Sequence, residues 1–314
     1  MRIGLIDVDG HNFPNLPLMK LSAYYKKQGY EVEWYDPMFG GMYDAVYMSK
    51  VFSFTPDYEY PINARNVIKG GSGYCIRLVD GKEVYDKNKD VGLPYDIEHI
   101  FPDYSLYGIT DTAYGFLTRG CPRNCNFCHT TQKDGACSVK VADLSEFWNG
   151  QKNIILLDQN ILACIDSEEL LKQLADSKAK VEFNGGLDVR MLTESNMKIL
   201  KQIKMNQIHF AWNRYEDKNI VLPKLKMFYE TFGQKYCRSK VQCYVLTNFN
   251  TTHEQDIERV TELRKLSMSP YIMRYDKENI PRGSTVNKLA RYCNNRMFFW
   301  KYQTFEDYLK GEKR

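Results

Sequence analysis

The sequence predicts an α/β protein: a doubly wound parallel sheet at the N-terminus, then an open, partial (β/α)6 barrel. Three observations predict it. Strand-like apolar runs flank a helical run between residues 2 and 71. A strand-then-helix rhythm repeats from Ala113 to Asn295. Between the two, residues 75–110 carry turn formers and charges without periodicity, as an insertion and linker would.

In the first part, "RIGLIDVD" (2–9) is an apolar run ending in acids and reads as a buried strand. "LPLMKLSAYYKKQG" (16–29) places Leu18, Leu21 and Tyr25 on one helical face, with Gly29 as the stop. "YEVEWYD" (30–36), "AVYMSKVFSF" (45–54) and "NVIKGG" (66–71) follow as strands, with few helical signals between 37 and 66. In the second part the strands are "AYGFLTRG", "NIILLD" (153–158), "KVEFNGGLD" (180–188), "QIHFAWN" (207–213), "KVQCYVLTN" (240–248) and "PYIMRYD" (270–276). A helical stretch follows each from the second strand on, while the cysteine loop and "LSEFW" follow the first. Asp166 with Glu169, and Thr252 with Gln255, have capping-box spacing. In such a barrel the chemistry lies at the C-terminal ends of the strands. The expected organisation is 1–74, a linker over 75–110, a barrel over 111–295 and a helical tail over 296–314.

The 314 residues suffice for two domains, and 43% hydrophobic with 26% charged content is ordinary for a globular protein. Twenty-three tyrosines fit half-buried surfaces or a polar-rimmed cavity. A net charge of +4 without a tight Lys/Arg cluster does not point to nucleic acid. No apolar run approaches membrane-spanning length, so no membrane partner is expected. The start "MRIGLIDVDG" reads as a strand rather than a signal peptide. An odd count of 9 cysteines at this length predicts a reducing, cytoplasmic setting with free or metal-bound thiols.

Three of those cysteines crowd into "GCPRNCNFCHTTQ": Cys121, Cys125 and Cys128. Offsets of zero, four and seven would align on a helix as a buried stripe. Gly120, Pro122, Asn124 and Asn126 argue instead for a loop that exposes the thiols. Zinc is one reading, with His129 or Cys137 as a fourth ligand, although structural zinc sites usually come as two separated pairs. An iron–sulfur cluster is the other: three thiolates on a four-iron cube leave one iron open. Cys137, Cys164 and Cys243 are expected to be structural.

"CPRNCNFC" resembles the CxxxCxxC motif of the radical S-adenosylmethionine (radical SAM) superfamily, including Phe127 just before the last cysteine. The resemblance covers roughly 110 to 295 and implies that superfamily's partial, TIM-like barrel. It implies a [4Fe-4S] cluster on Cys121, Cys125 and Cys128, with S-adenosylmethionine (SAM) on the open iron. Reductive cleavage would yield a 5′-deoxyadenosyl radical that abstracts hydrogen from a substrate. A reducing partner such as flavodoxin or ferredoxin is implied with it. At the second strand end, Asp158, Gln159 and Asn160 would take the SAM amino group, in place of the Gly-Gly-Glu common in the superfamily. Arg190 would pair with the SAM carboxylate, and Gly185 and Gly186 would let backbone approach the ligand. Asn213 stands where a ribose contact lies, and Thr247 where adenine is met. The strand-end acid as a cap, Arg190 in a surface ion pair and Trp212 in the core are the plain alternatives.

The N-terminal part resembles the Rossmann-like, cobalamin-binding-like domains that precede many radical SAM barrels. Asp9 and His11 match two positions of the DxHxxG cobalamin loop, but Pro14 holds the final glycine position. A domain without the cofactor is the expectation, and a cobalamin-dependent radical SAM methyltransferase the alternative within the enzyme class. Only Cys75 precedes the triplet and only Cys293 follows Cys243, so a single-cluster enzyme is expected. Its substrate would be a small molecule, a peptide or a nucleic-acid base. The contrasting class is a non-catalytic zinc-binding or interaction protein.

Overall fold

The computed structural model describes residues 1–79 and 82–312. Residues 80, 81, 313 and 314, which belong to the expected linker and tail, lie outside the described residues. The chain is α/β with several parallel sheets and divides into two compact units, Met1–Ile154 and Ile155–Arg314. Among the described residues no helix is long and apolar enough to cross a membrane.

In the first unit β1 (Arg2–Asp7), α1 (Leu16–Lys27), β2 (Glu31–Trp34), β3 (Tyr43–Ser49) and β4 (Ala64–Gly70) build a sheet of order β2-β1-β3-β4. Its pairings are all parallel. Helix α1 begins where the Asn15 side chain accepts the Leu18 amide at 3.3 Å, with Pro17 in the first turn. One face of the sheet buries Ile3, Leu5 and Ala45 against Leu18 and Leu21 of α1. The other buries Ile6, Tyr43, Val46 and Met48 beneath Tyr35, Phe39, Tyr58 and Ile62, which lie in irregular chain. This agrees with the poor helical signal between 37 and 66.

The third strand is shorter than its apolar pattern suggests. It stops at Ser49, and Val51, Phe52 and Phe54 stand 45%, 37% and 71% exposed. The Asp9 carboxylate diverts the chain by accepting the Val51 and Phe52 amides and the Thr55 hydroxyl. Amides spent on a side chain cannot extend a ladder. The expected linker also holds structure: β5 (Ile76–Val79) and β6 (Lys82–Tyr85) form an antiparallel hairpin. The charges around it obscured this strand pair in the sequence. Next come β7 (Thr112–Gly115), β8 (Thr118–Arg119), α2 (Thr130–Asp134) and β9 (Val139–Lys140).

The division falls inside β10 (Asn153–Leu156). Its first residue, Asn153, bonds Asp111, and its last, Leu156, accepts the Asn184 amide. In the second unit α3 (Ser167–Ser177), β11 (Lys180–Phe183), α4 (Glu194–Leu200) and the short β12 (Lys204–Met205) lead to β13 (Ile208–Ala211). Then come α5 (Lys218–Phe232), α6 (Gln234–Lys240), β14 (Val241–Thr247), α7 (His253–Lys265), β15 (Ser269–Arg274) and α8 (Thr285–Asn294). Strands β13, β14 and β15 are parallel neighbours in chain order. Two further helices, α9 (Arg296–Lys301) and α10 (Phe305–Glu312), follow.

Thr252 and Gln255 form the expected capping box, each side chain holding the other's amide. Asp166 stands at the N-cap of α3 but makes no capping hydrogen bond. Its φ of −86° and ψ of 11° lie outside the extended conformation that a capping side chain needs. A capping box the spacing rule passed over joins Thr193 to Asn196, where Asn replaces the usual Glu or Gln.

Candidate functional site

The thiol loop lies in the first unit, as an excursion between paired strands. Strands β8 and β9 pair antiparallel, Thr118 with Lys140 and Arg119 with Val139, and so close its base. Gly120 begins it at φ +90°, and a Cβ there would lie 2.1 Å from the Cys137 carbonyl oxygen. Only glycine fits that closure. The Cys121 amide then bonds the Gly135 carbonyl at 3.1 Å, and the Thr131 hydroxyl bonds the Cys121 carbonyl at 3.2 Å. Asn124 takes a left-handed φ of 44°, and the Cys128 amide turns back onto the Cys125 carbonyl at 3.0 Å. Between 121 and 129 the backbone is non-helical, so the thiols are not a helical stripe.

Cys121, Cys125 and Phe127 are half-buried, and Cys128 and Cys137 are exposed. Cys75, Cys164, Cys237, Cys243 and Cys293 are buried. Burial pushes the Cys237 and Cys243 thiols up to about 12 and raises those of Cys75 and Cys293. The donor set for a thiophilic metal is therefore the loop: accessible sulfur there, inert sulfur in the cores. Among the described residues no three Cys, His, Asp or Glu side chains are arranged to hold a metal ion. The loop carries the donors without gathering them into a formed cage.

What braces this loop comes from residues distant in sequence. Helix α2, which ends it, is tied to the segment after the hairpin by Lys133 and Asp90 at 2.9 Å. Burial pushes the Asp90 carboxyl up, but hydrogen bonds from Lys133 and Tyr85 more than offset it and hold it below the usual range. His129 Nε2 lies 3.8 Å from the Glu83 carboxylate on β6.

The other candidate residues lie at strand ends in the second unit. Asp158 and Asn160 are buried after β10, with Gln159 half-buried between them. A Cβ on Gly185 would lie 2.0 Å from the Asp158 carbonyl oxygen, so this glycine lets two strand-end loops nest. Gly186 follows at φ +83°, beside the His209 carbonyl. The Arg190 guanidinium forks onto Asp188 at 2.8 and 3.2 Å and reaches Asp217 at 2.7 Å. Asn160 donates to the same Asp188 at 3.3 Å. Asp188 and Asp217, absent from the sequence reading, thus join Asn160 and Arg190 in one network. An Asp-x-Arg pair is too common a pattern to single out.

Asn213 and Thr247 belong to a second network. The Asn213 side-chain Oδ1 accepts the Leu246 amide at 3.2 Å, and the Thr247 hydroxyl donates to the Met273 carbonyl at 3.2 Å. Arg259, fully buried on α7, donates to the carbonyls of Trp212 at 2.7 Å, Asn213 at 3.1 Å and Leu246 at 2.9 Å, and also pairs with Asp256. Trp212 is 1% exposed, a core residue. In the first unit Asp9 serves the loop after β3, and His11 stacks on Trp34 with ring centroids 4.1 Å apart. No protein-family model matches the chain, and no curated protein matches it either.

Proposed function

We propose that this protein is a radical SAM enzyme, with a [4Fe-4S] cluster held by Cys121, Cys125 and Cys128. The single observation that carries the reading is the contrast among the cysteines. Cys121, Cys125 and Cys128 lie on one irregular loop, half-buried or exposed, with the exposed Cys137 near its end, whereas the other five are buried. When bound, the cluster supplies one electron to SAM and so gives a 5′-deoxyadenosyl radical able to take hydrogen from a substrate.

The chain's own residues do the holding. Gly120 and the β8–β9 pair set the mouth of the loop, and Lys133 with Asp90 braces its far end. Asp158, Gln159 and Asn160 are assigned to the SAM amino group as acceptors. Arg190 is assigned to the carboxylate, which requires it to share or exchange Asp188 or Asp217. Asn213 and Thr247 would meet the nucleoside mainly through strand ends that their own hydrogen bonds hold in place. We read the parallel pairs β11–β12 and β13–β14–β15, which follow chain order in two sheets, as parts of a partial barrel. A cytoplasmic setting and a flavodoxin- or ferredoxin-type reductant belong to the same reading.

The test is anaerobic reconstitution with iron and sulfide, reduction, addition of SAM and measurement of 5′-deoxyadenosine. Protein with four irons and sulfides per chain should produce it. A full cluster without SAM cleavage, or purified protein holding only tetrahedral zinc, overturns the proposal.

A further inference from the structure

The strands of the second unit carry an unexpected set of residues on one face. Val181, Phe183, Ile208, Phe210, Val241, Cys243, Val245 and Ile272 are buried. Phe210 packs edge-on against Phe228 of α5 at 5.0 Å, which marks this as the helix-covered face. Successive residues of a strand point to opposite faces. The alternate positions include Glu182 on β11, His209 on β13, Tyr244 on β14 and Tyr271 on β15, alongside Ala211, Gln242, Leu246 and Met273.

His209, Tyr244 and Tyr271 form a connected row, with Glu182 on a strand of the neighbouring sheet. The His209 ring stacks on Tyr244 at 5.1 Å, and Tyr244 meets Tyr271 edge-on at 5.7 Å, as their direct register requires. The Glu182 charge is felt at both His209 and Tyr244. His209 is 7% exposed, and its Nδ1 has no hydrogen-bond partner. Burial favours the neutral imidazole, which has one acceptor nitrogen, and the unpartnered Nδ1 is open to serve as it. Tyr271 is 39% exposed.

A strand face meant to be filled by its own side chains carries branched aliphatics. This one adds a carboxylate, an imidazole and two phenol rings to Ala211, Leu246 and Met273. A buried acceptor without a donor is destabilising, and a ligand's N–H would offset that cost. A carboxylate and aromatic faces favour a cation over an anion.

We propose that Glu182, His209, Tyr244 and Tyr271 form the wall of a binding site for a ligand bearing an amino group beside a planar ring. Glu182 and His209 Nδ1 accept its N–H groups, and the two tyrosines hold its ring. This names a substrate class for the enzyme proposed above and rests on that reading. Its test measures binding rather than turnover, so failure of either leaves the other to be judged separately.

With 5 histidines in the chain, imidazole-labelled protein is tractable, and a His209→Gln variant assigns the His209 signal. Benzylamine, benzyl alcohol and benzoate are titrated in turn. Benzylamine should shift the His209 signal saturably, benzyl alcohol more weakly, and benzoate not at all. Glu182→Gln should weaken benzylamine about tenfold and leave benzyl alcohol little changed. Tyr271→Ala, at a more exposed position, should weaken both and keeps the test alive should Glu182→Gln not fold. Absence of a His209 shift with any probe, equal binding of benzoate, or unchanged affinity in the folded variants overturns the proposal.

Discussion

The thiol loop of the first unit and the cysteines of the second use one residue type in opposite ways. At Cys121, Cys125 and Cys128 the backbone is irregular and the sulfur accessible. At Cys237, Cys243 and Cys293 the thiol is a small apolar plug in a helix or strand core. Cys243 shares its core with the Arg259 guanidinium and is still held protonated, because burial outweighs that charge. Environment, more than the thiol itself, decides whether a cysteine is a ligand or a hydrophobe.

The largest expected effect breaks the comparison at the loop. Cys121→Ala, Cys125→Ala or Cys128→Ala should each abolish iron binding on reconstitution while circular dichroism stays unchanged. Loss of the fold in all three would make this loop a structural metal site instead.

Next comes the brace beneath the second unit's strand ends. Arg259→Ala should destabilise by about 3–5 kcal/mol in denaturant titration, since it strands Asp256 and three carbonyls. A loss under about 1 kcal/mol would show that the network is ornamental.

The same substitution at two sites sharpens the contrast. Cys243→Ser should cost about 1–3 kcal/mol by burying a hydroxyl, whereas Cys128→Ser should be nearly neutral for folding of the apo protein. Iodoacetamide at pH 8 should label loop cysteines in native protein and leave Cys237 and Cys243 unmodified until unfolding, as mass spectrometry of digests would record.

The smallest effect is a pH dependence. Burial lowers the His209 pKa below the ordinary imidazole value. Between the folded and unfolded values the unfolded chain binds more protons, so stability should fall as pH drops through the ordinary imidazole range. His209→Gln should flatten that slope, and an unchanged slope would show that His209 ionises freely.

Most elements were legible because their cues are local. Alternating apolar runs marked the strands, and Gly120, Pro122, Asn124 and Asn126 marked the thiol loop as irregular. Thr252 and Gln255 worked as a cap because three residues of separation leave little else to decide. The end of β3 was misjudged because its cause, Asp9, lies more than forty residues away, as in its bond to Thr55 at a separation of 46. The hairpin after Cys75 was hidden among charges that suggested only linker.

By itself, then, the chain's order of residues determined the α/β class, the helix and strand positions and the presence of three closely spaced thiols on a loop. Tertiary structure alone decided what each polar group meets. Arg190 is engaged by an aspartate 27 residues away, Gly185 is required by a neighbouring strand end, and the His209–Tyr271 row exists only once three strands are aligned. The physical reason is range: backbone propensity acts over a few residues, whereas hydrogen bonds, ion pairs and ring contacts join whatever the packed fold brings within a few ångströms.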